Sequence, residues 1–381
     1  MNYLTVDLYQ DFKCIANSCP NTCCAGWSIT IDETTYKKMV EHEYELGTSA
    51  EDWLEKEDGR IVAKLKNQRC CMLNNNNLCN VVLKLGPEYL SDTCKLYPRR
   101  IYQYGSVVEA HLAMSCPVVI AKLMEKESVQ FNLIEDEIPT LSYPFSKLYI
   151  FESAIRSSII DILQNNADIS LNTRLYIAFN ILDKAIQSYQ NEQLDFNLLK
   201  PTIDLYSQKD TLCSFDIQLH DIVNESNRYI FLQELQTILF ENLPEGHFEK
   251  LAIQTYVYFT KNDLEKYLSD IIAFRANIKE YTTFYTNYWI YRIFSDILEI
   301  PDFNLSKEKM LYIAMEFCCA QAVALASFVN KKKIDRDEYI YIISNISRMM
   351  EHHAAFRQYL IEKLNKNNMI NAAGFMLMIL I

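Results

Sequence analysis

Four cysteines fall within eleven residues of CIANSCPNTCCAGW: Cys14, Cys19, Cys23 and Cys24. A second, looser series follows, with Cys70, Cys71 and Cys79, then Cys94 in DTCKLYPRR and Cys116 in SCPVVIAKLM. In a reducing compartment such thiols bind metal more readily than they form bridges. Asn17, Pro20, Asn21 and Gly26 seed the first loop, and residues of these types let backbone curl around a centre. Cys116 precedes Pro117, a favoured first helical residue, so helix N–H groups are expected to favour its thiolate, the form that ligates. Zinc sites usually present paired C-x2-C ribs, often with His. Neither rib occurs here, and His42 and His111 stand apart from the thiols. An all-sulfur, irregularly spaced set points to an iron–sulfur cluster with four thiolates per four-iron centre, zinc being the alternative. Cys213 and the pair Cys318 and Cys319 lie on apolar helical faces and read as core.

The glycines exclude other chemistry. There are seven, and no two are closer than twelve residues, which removes the P-loop and the G-x-G-x-x-G dinucleotide loop. A Rossmann-type enzyme is therefore not expected. No G-x-S-x-G elbow and no H-E-x-x-H helix occurs. The Cys-x3-Cys-x2-Cys spacing of radical S-adenosylmethionine enzymes also fails, because Cys24 directly follows Cys23.

These residues need elements to position them. The 381-residue chain is half hydrophobic, ample for two domains. WSITID, RIVAKLK and VVEAHLAMS read as short strands, and DETTYKKMVEHEY as a helix capped by Asp32. VQFNLIEDEIPTLSYPF, with Pro139 and Pro144, reads as a connector. Beyond it, long segments such as SKLYIFESAIRSSIIDILQ and KEKMLYIAMEFCCAQAVALASFV carry helical apolar periodicity. The expected fold is mainly α: a cysteine-rich α+β metal-binding domain over residues 1–128, then a helical domain over 146–381. A formal charge of −12 argues against a nucleic-acid partner. MNYLTVDLYQDF has neither a cationic n-region nor a long apolar run, so a cytoplasmic location is expected. AAGFMLMILI is shorter than the roughly 20 residues of a membrane span and reads as a buried terminal helix or strand.

In order, FKCIANSCPNTCCAGWSITID, CMLNNNNLCNVVLKLGPEYLSDTCKLYPR and AMSCPVVIAKL resemble the signature of the flagellin lysine-N-methylase family, among proteins with a CxxCxxCC-type zinc- or iron-chelating domain. The likeness is specific over about residues 10–125. It implies methyl transfer from S-adenosylmethionine to lysine ε-amino groups of flagellin, dependent on a four-iron cluster. Matched residue by residue, the family cysteines are Cys14, Cys19, Cys23, Cys24, Cys71, Cys79, Cys94 and Cys116, with Cys70 an extra. A lysine ammonium, pKa about 10.4, must lose a proton before it attacks a methyl group. Candidate groups for that step are Glu351, His352 and His353, with Arg348 one turn earlier on the same helix face. Arg99 or Arg100 can hold the cofactor carboxylate, and Trp27 and Tyr97 its adenine. The alternative is a non-catalytic protein-binding module folded by zinc or a cluster.

Overall fold

The computed structural model describes residues 2–57, 59–104, 107–135, 141–143, 147–222, 224–241, 248–297, 302–352 and 354–380. The fold is mainly α. From Lys147 onward every regular element among the described residues is helical. The helix Leu305–Lys331 is apolar on all sides and buried along most of its length, as a helix without a polar face must be. By length and composition it is able to cross a membrane, but 94% of its apolar window is buried inside the protein. Around it pack the helices Leu171–Gln190, Glu249–Lys261, Leu264–Asn277, Arg336–His352 and Ala372–Ile379. The last of these is the apolar C-terminal stretch.

A five-stranded sheet lies against this helical body. Its strands are β1 (Asn2–Val6), β6 (Arg99–Tyr104), β7 (Val107–Leu112), β8 (Phe131–Glu135) and β9 (Leu141–Tyr143), in the order β8-β1-β7-β6-β9. β1 pairs in parallel with β7, Leu4 opposite Glu109, and antiparallel with β8. β6 and β7 form an antiparallel hairpin. The expected connector therefore supplies two strands of the sheet; Pro139 and Pro144 lie outside the described residues.

The remaining strands belong to a small unit inserted between β1 and β6. It contains the hairpins β2 (Leu54–Glu57) with β3 (Arg60–Ala63), and β4 (Leu65–Lys66) with β5 (Arg69–Cys70). Asp32 caps the helix Glu33–Glu41 as expected, accepting from Thr35 N–H at 2.8 Å. WSITID is not a strand; it touches β3 through one bridge, Thr30 to Val62. Ile29 and Ile31 alternate inward, but the pairing stops there. Ten buried side chains, among them Met39, Trp53, Met72 and Val81, form the unit's own core.

Packing runs across residues 128–146. One continuous core runs from Tyr3, Val6 and Val108 through Ile120 and Val129 to Ile155, Trp289 and Ile379. What crosses is the packing of the helix Pro117–Met124 against the helices Thr282–Asp296 and Arg336–His352, together with the bonds from β7 to Tyr291 and Arg156. What stands apart is the insert.

Candidate functional site

Between the first cysteine loop and the helices Asn80–Lys84 and Pro117–Met124, a cavity of about 230 Å³ is lined by Cys14, Cys19, Cys23, Cys24, Cys79 and Cys116, closed by Phe12, Leu78, Val82, Tyr97 and Pro117. All twelve cysteines of the chain are free thiols. Cys94 lies within electrostatic reach of Cys24 and Cys79, and Cys70 within reach of all three. Cys71 is exposed and outside the cavity. Cys70 packs against the insert's small core beside Met72.

Backbone N–H groups point at these sulfurs. Ala16 N–H donates to Cys14 Sγ at 3.4 Å, and the N–H groups of Asn21, Met72, Val81 and Val82, and Val118 and Val119 bond Cys19, Cys70, Cys79 and Cys116 respectively. Such donors stabilise bound thiolates. Burial works against them, pushing Cys70 and Cys116 up to about 12 and Cys94 to about 11. The expectation that a helix start lowers the Cys116 thiol is therefore corrected: at 7% exposure desolvation outweighs the helix N–H groups. Cys24 goes the other way, to about 7, chiefly through the hydrogen bond from Cys23.

The donor chemistry fits a soft metal. A single zinc ion at about 2.3 Å from four sulfurs would need them about 3.8 Å apart. Among the described residues no three His, Cys, Asp or Glu side chains are so grouped. A multinuclear cluster, with each thiolate on a different iron, accepts wider spacing.

The helix Arg336–His352 packs behind the first cysteine loop. Arg348, 6% exposed, donates to Asn21 Oδ1 and Asn21 O at 2.8 Å, Thr22 O at 2.9 Å, and Ala25 O and Ser115 O at 3.4 Å. One guanidinium thus holds the first cysteine loop against the residue before Cys116, a task for its planar fork of donors. Gly26 turns the loop with φ of 80° beside the Arg348 stem.

His352 stacks on Trp27, ring centroids 4.3 Å apart, and Tyr97 lies 5.8 Å from the same indole. Trp27 Nε1–H donates to Cys23 O at 2.8 Å, tying this aromatic group to the thiols. Ser115 Oγ is the hub: 3.0 Å from Tyr97 Oη, 2.6 Å from Glu351 Oε2 and 3.5 Å from His352 Nε2. Burial pushes the Tyr97 phenol far above its usual value, so it stays protonated. Glu351 also accepts from Met114 N–H at 3.2 Å and pairs with Arg100 at 3.0 Å. Arg100 continues to Asp296 at 3.4 Å, and Arg292 joins Asp296, at 2.8 Å, to buried Glu316. Arg99 points elsewhere, over the rings of Phe12 and Tyr9. Glu351, His352, Trp27 and Tyr97 are therefore together, Arg99 is set back behind Phe12, and His353 lies outside the described residues. Ser115 and the bridging role of Arg100 carried no sequence motif.

The sequence profile of the FliB lysine N-methylase C-terminal domain matches residues 156–379, the helical body including Arg348, Glu351 and His352. The chain belongs to the FliB lysine N-methylase family. It is 22% identical over 363 residues to the Lysine-N-methylase of Salmonella typhimurium strain LT2, covering 90% of each chain. The Lysine-N-methylase of Salmonella choleraesuis is 29% identical over 43% of each chain. The Flagellar biosynthetic protein FliU of Salmonella muenchen is 33% identical over 30% of this chain and 71% of its own. No solved structure matches. The profile begins after the last cavity thiol, so the thiol set stands on the geometry above.

Proposed function

We propose that this lysine methylase takes its methyl group from S-adenosylmethionine and delivers it to lysines of flagellin, with an iron–sulfur cluster in the thiol cavity. The observation that carries this is the placement of the His352–Trp27 stack directly beside an all-thiol cavity. The relatives named for flagellar biosynthesis and lysine methylation support the substrate. Six thiols, with no His, Asp or Glu beside them among the described residues that line the cavity, support a cluster.

Trp27 and Tyr97 offer flat faces to the adenine. The incoming ammonium gives its proton to His352, and the nitrogen lone pair then bonds the sulfonium methyl carbon. The carbon–sulfur bond breaks, its electron pair stays on sulfur, and S-adenosylhomocysteine leaves. Glu351, engaged on both oxygens, holds Ser115 and Met114 in place and leaves proton acceptance to His352. A cluster held by the cavity thiols would supply an electron-rich iron centre beside Tyr97.

Mass spectrometry of flagellin co-expressed with this chain tests the proposal. Lysines should gain one or more methyl masses, and His352→Ala should slow the gain roughly a hundredfold while bound metal is retained. Unmodified flagellin sinks the substrate; full activity of the variant sinks the role of His352.

A further inference from the structure

Ser115 Oγ lies among three polar atoms, and the other partners of those atoms decide where its single hydrogen goes. Glu351 Oε1 takes the Met114 N–H at 3.2 Å, and Oε2 takes Arg100 at 3.0 Å. A backbone N–H and a guanidinium can only donate, so Glu351 serves as an acceptor on both oxygens. The 2.6 Å contact between Ser115 Oγ and Glu351 Oε2 is therefore a bond that Ser115 donates, short as bonds to a charged acceptor are. A serine hydroxyl has one hydrogen and two lone pairs. With the hydrogen spent on Glu351, the lone pairs accept from Tyr97 Oη at 3.0 Å and from His352 Nε2 at 3.5 Å. The whole bonding capacity of the hydroxyl is then used, in a residue with no exposed surface. Its surroundings are fixed as well. Arg348 donates to Ser115 O at 3.4 Å, and the Trp27 indole, 4.3 Å from the His352 ring and within 20° of parallel, holds the plane of that ring. Glu351 Oε2 lies 4.0 Å from His352 Nε2, so a negative charge backs the same nitrogen.

We propose that Ser115, oriented by Glu351, is a positioning residue that holds neutral His352 in the tautomer with its hydrogen on Nε2. The ring lone pair is then on Nδ1, and Nδ1 is the atom that takes the lysine proton. In that step the ammonium N–H bond breaks, its electron pair stays on the lysine nitrogen for attack on the methyl carbon, and an Nδ1–H bond forms. The imidazolium keeps its Nε2–H on Ser115, with Glu351 opposing the new charge. The opposite tautomer would offer the ammonium a hydrogen where a lone pair is needed. A 3.5 Å separation suits this role, because such bonds are commonly long before substrate arrives and tighten in the complex. The inference rests on His352 as the proton acceptor, and adds which nitrogen serves and what decides it.

Nitrogen-15 NMR of histidine-labelled full-length protein, purified without oxygen, reads the tautomer directly, with His352→Gln identifying the signal. In alkaline buffer, where imidazoles are neutral, His352 should show a protonated Nε2 and a bare Nδ1. Ser115→Ala should mix the two tautomers and lower kcat roughly tenfold, with KM for flagellin and bound metal unchanged. Ser115→Thr keeps a hydroxyl and should restore both the tautomer and kcat. Hydrogen on Nδ1 in the wild type, while His352→Gln is slow, overturns this proposal and leaves the base in place. It falls equally if Ser115→Ala keeps the wild-type tautomer and kcat. A loss in Ser115→Ala that appears in KM or bound metal instead of kcat shows a purely structural serine and overturns it too. Should Ser115→Ala misfold, the wild-type tautomer and Ser115→Thr decide. Full activity of His352→Gln overturns the base itself, and the role of Ser115 with it.

Discussion

The helical body and the cysteine insert solve the problem of buried polar groups in opposite ways. In the body, buried charges answer one another. Arg156 donates to both oxygens of Glu109 and to Phe294 O at 2.9 Å, and Tyr149 adds a bond to Glu109 at 2.8 Å. A second chain alternates in sign from Glu316 through Arg292, Asp296 and Arg100 to Glu351. In the insert, thiols and aimed N–H groups converge, and Arg348 and Arg69 are the cations within reach of Cys24. Ordinary protein packing finishes the first region. The second has a small core and a donor set whose natural complement is a metal.

Stripping metal from the wild type should therefore separate the two regions most sharply. Hydrogen exchange across 54–96 should accelerate by an amount worth about 5 kcal/mol, while the helix Leu305–Lys331 keeps its protection. Equal loss in both would show one cooperative unit. The converse experiment is Glu109→Gln, which leaves Arg156 buried without its counter-charge. It should cost about 4 kcal/mol in urea unfolding with bound metal unchanged.

Acid sharpens the contrast further. His111 lies 2% exposed between Glu109, Arg156, Asp296 and Arg100, with Tyr102 and Phe294 against its ring. Burial lowers its pKa to about 4. Between pH 6.5 and 4 the unfolded chain takes a proton that folded His111 refuses, so stability falls as pH falls across that window. The loss approaches about 3 kcal/mol. His111→Gln should flatten this slope in pH-dependent denaturation; an unchanged slope assigns it to other groups. The smallest effect belongs to the joint between the regions. Arg348→Lys cannot serve four carbonyls and the Asn21 side chain from one ammonium, and should cost about 2 kcal/mol. That loss should appear as faster exchange in 19–26 with the helices unaffected; no change there would show that the loop docks without the guanidinium.

Much of this was legible in the chain. Helical periodicity announced the body after Lys147, because a 3.6-residue apolar repeat is a local property. The Asp32 cap was equally local. So was the clustering of thiols, and the chemistry of sulfur needs no fold to be recognised. The grouping of Arg348, Glu351 and His352 followed from helix spacing alone.

Other features depended on partners far away in sequence. Nothing in PVVIAKLM states that it packs against the helices Thr282–Asp296 and Arg336–His352, so the continuous core was not legible. That Cys70 packs on the small core while Cys71 is exposed turned on which of two adjacent side chains faces inward. Ser115 looks like any serine until Tyr97, Glu351 and His352 close around it. Residue types and local periods thus determined the helices and the kind of chemistry. Which thiols lie together, and which imidazole lies near them, was decided by tertiary structure, because hydrogen bonds depend on distances in space that chain separations of 230 to 330 residues, as between Asn21 or Ser115 and Arg348, leave open.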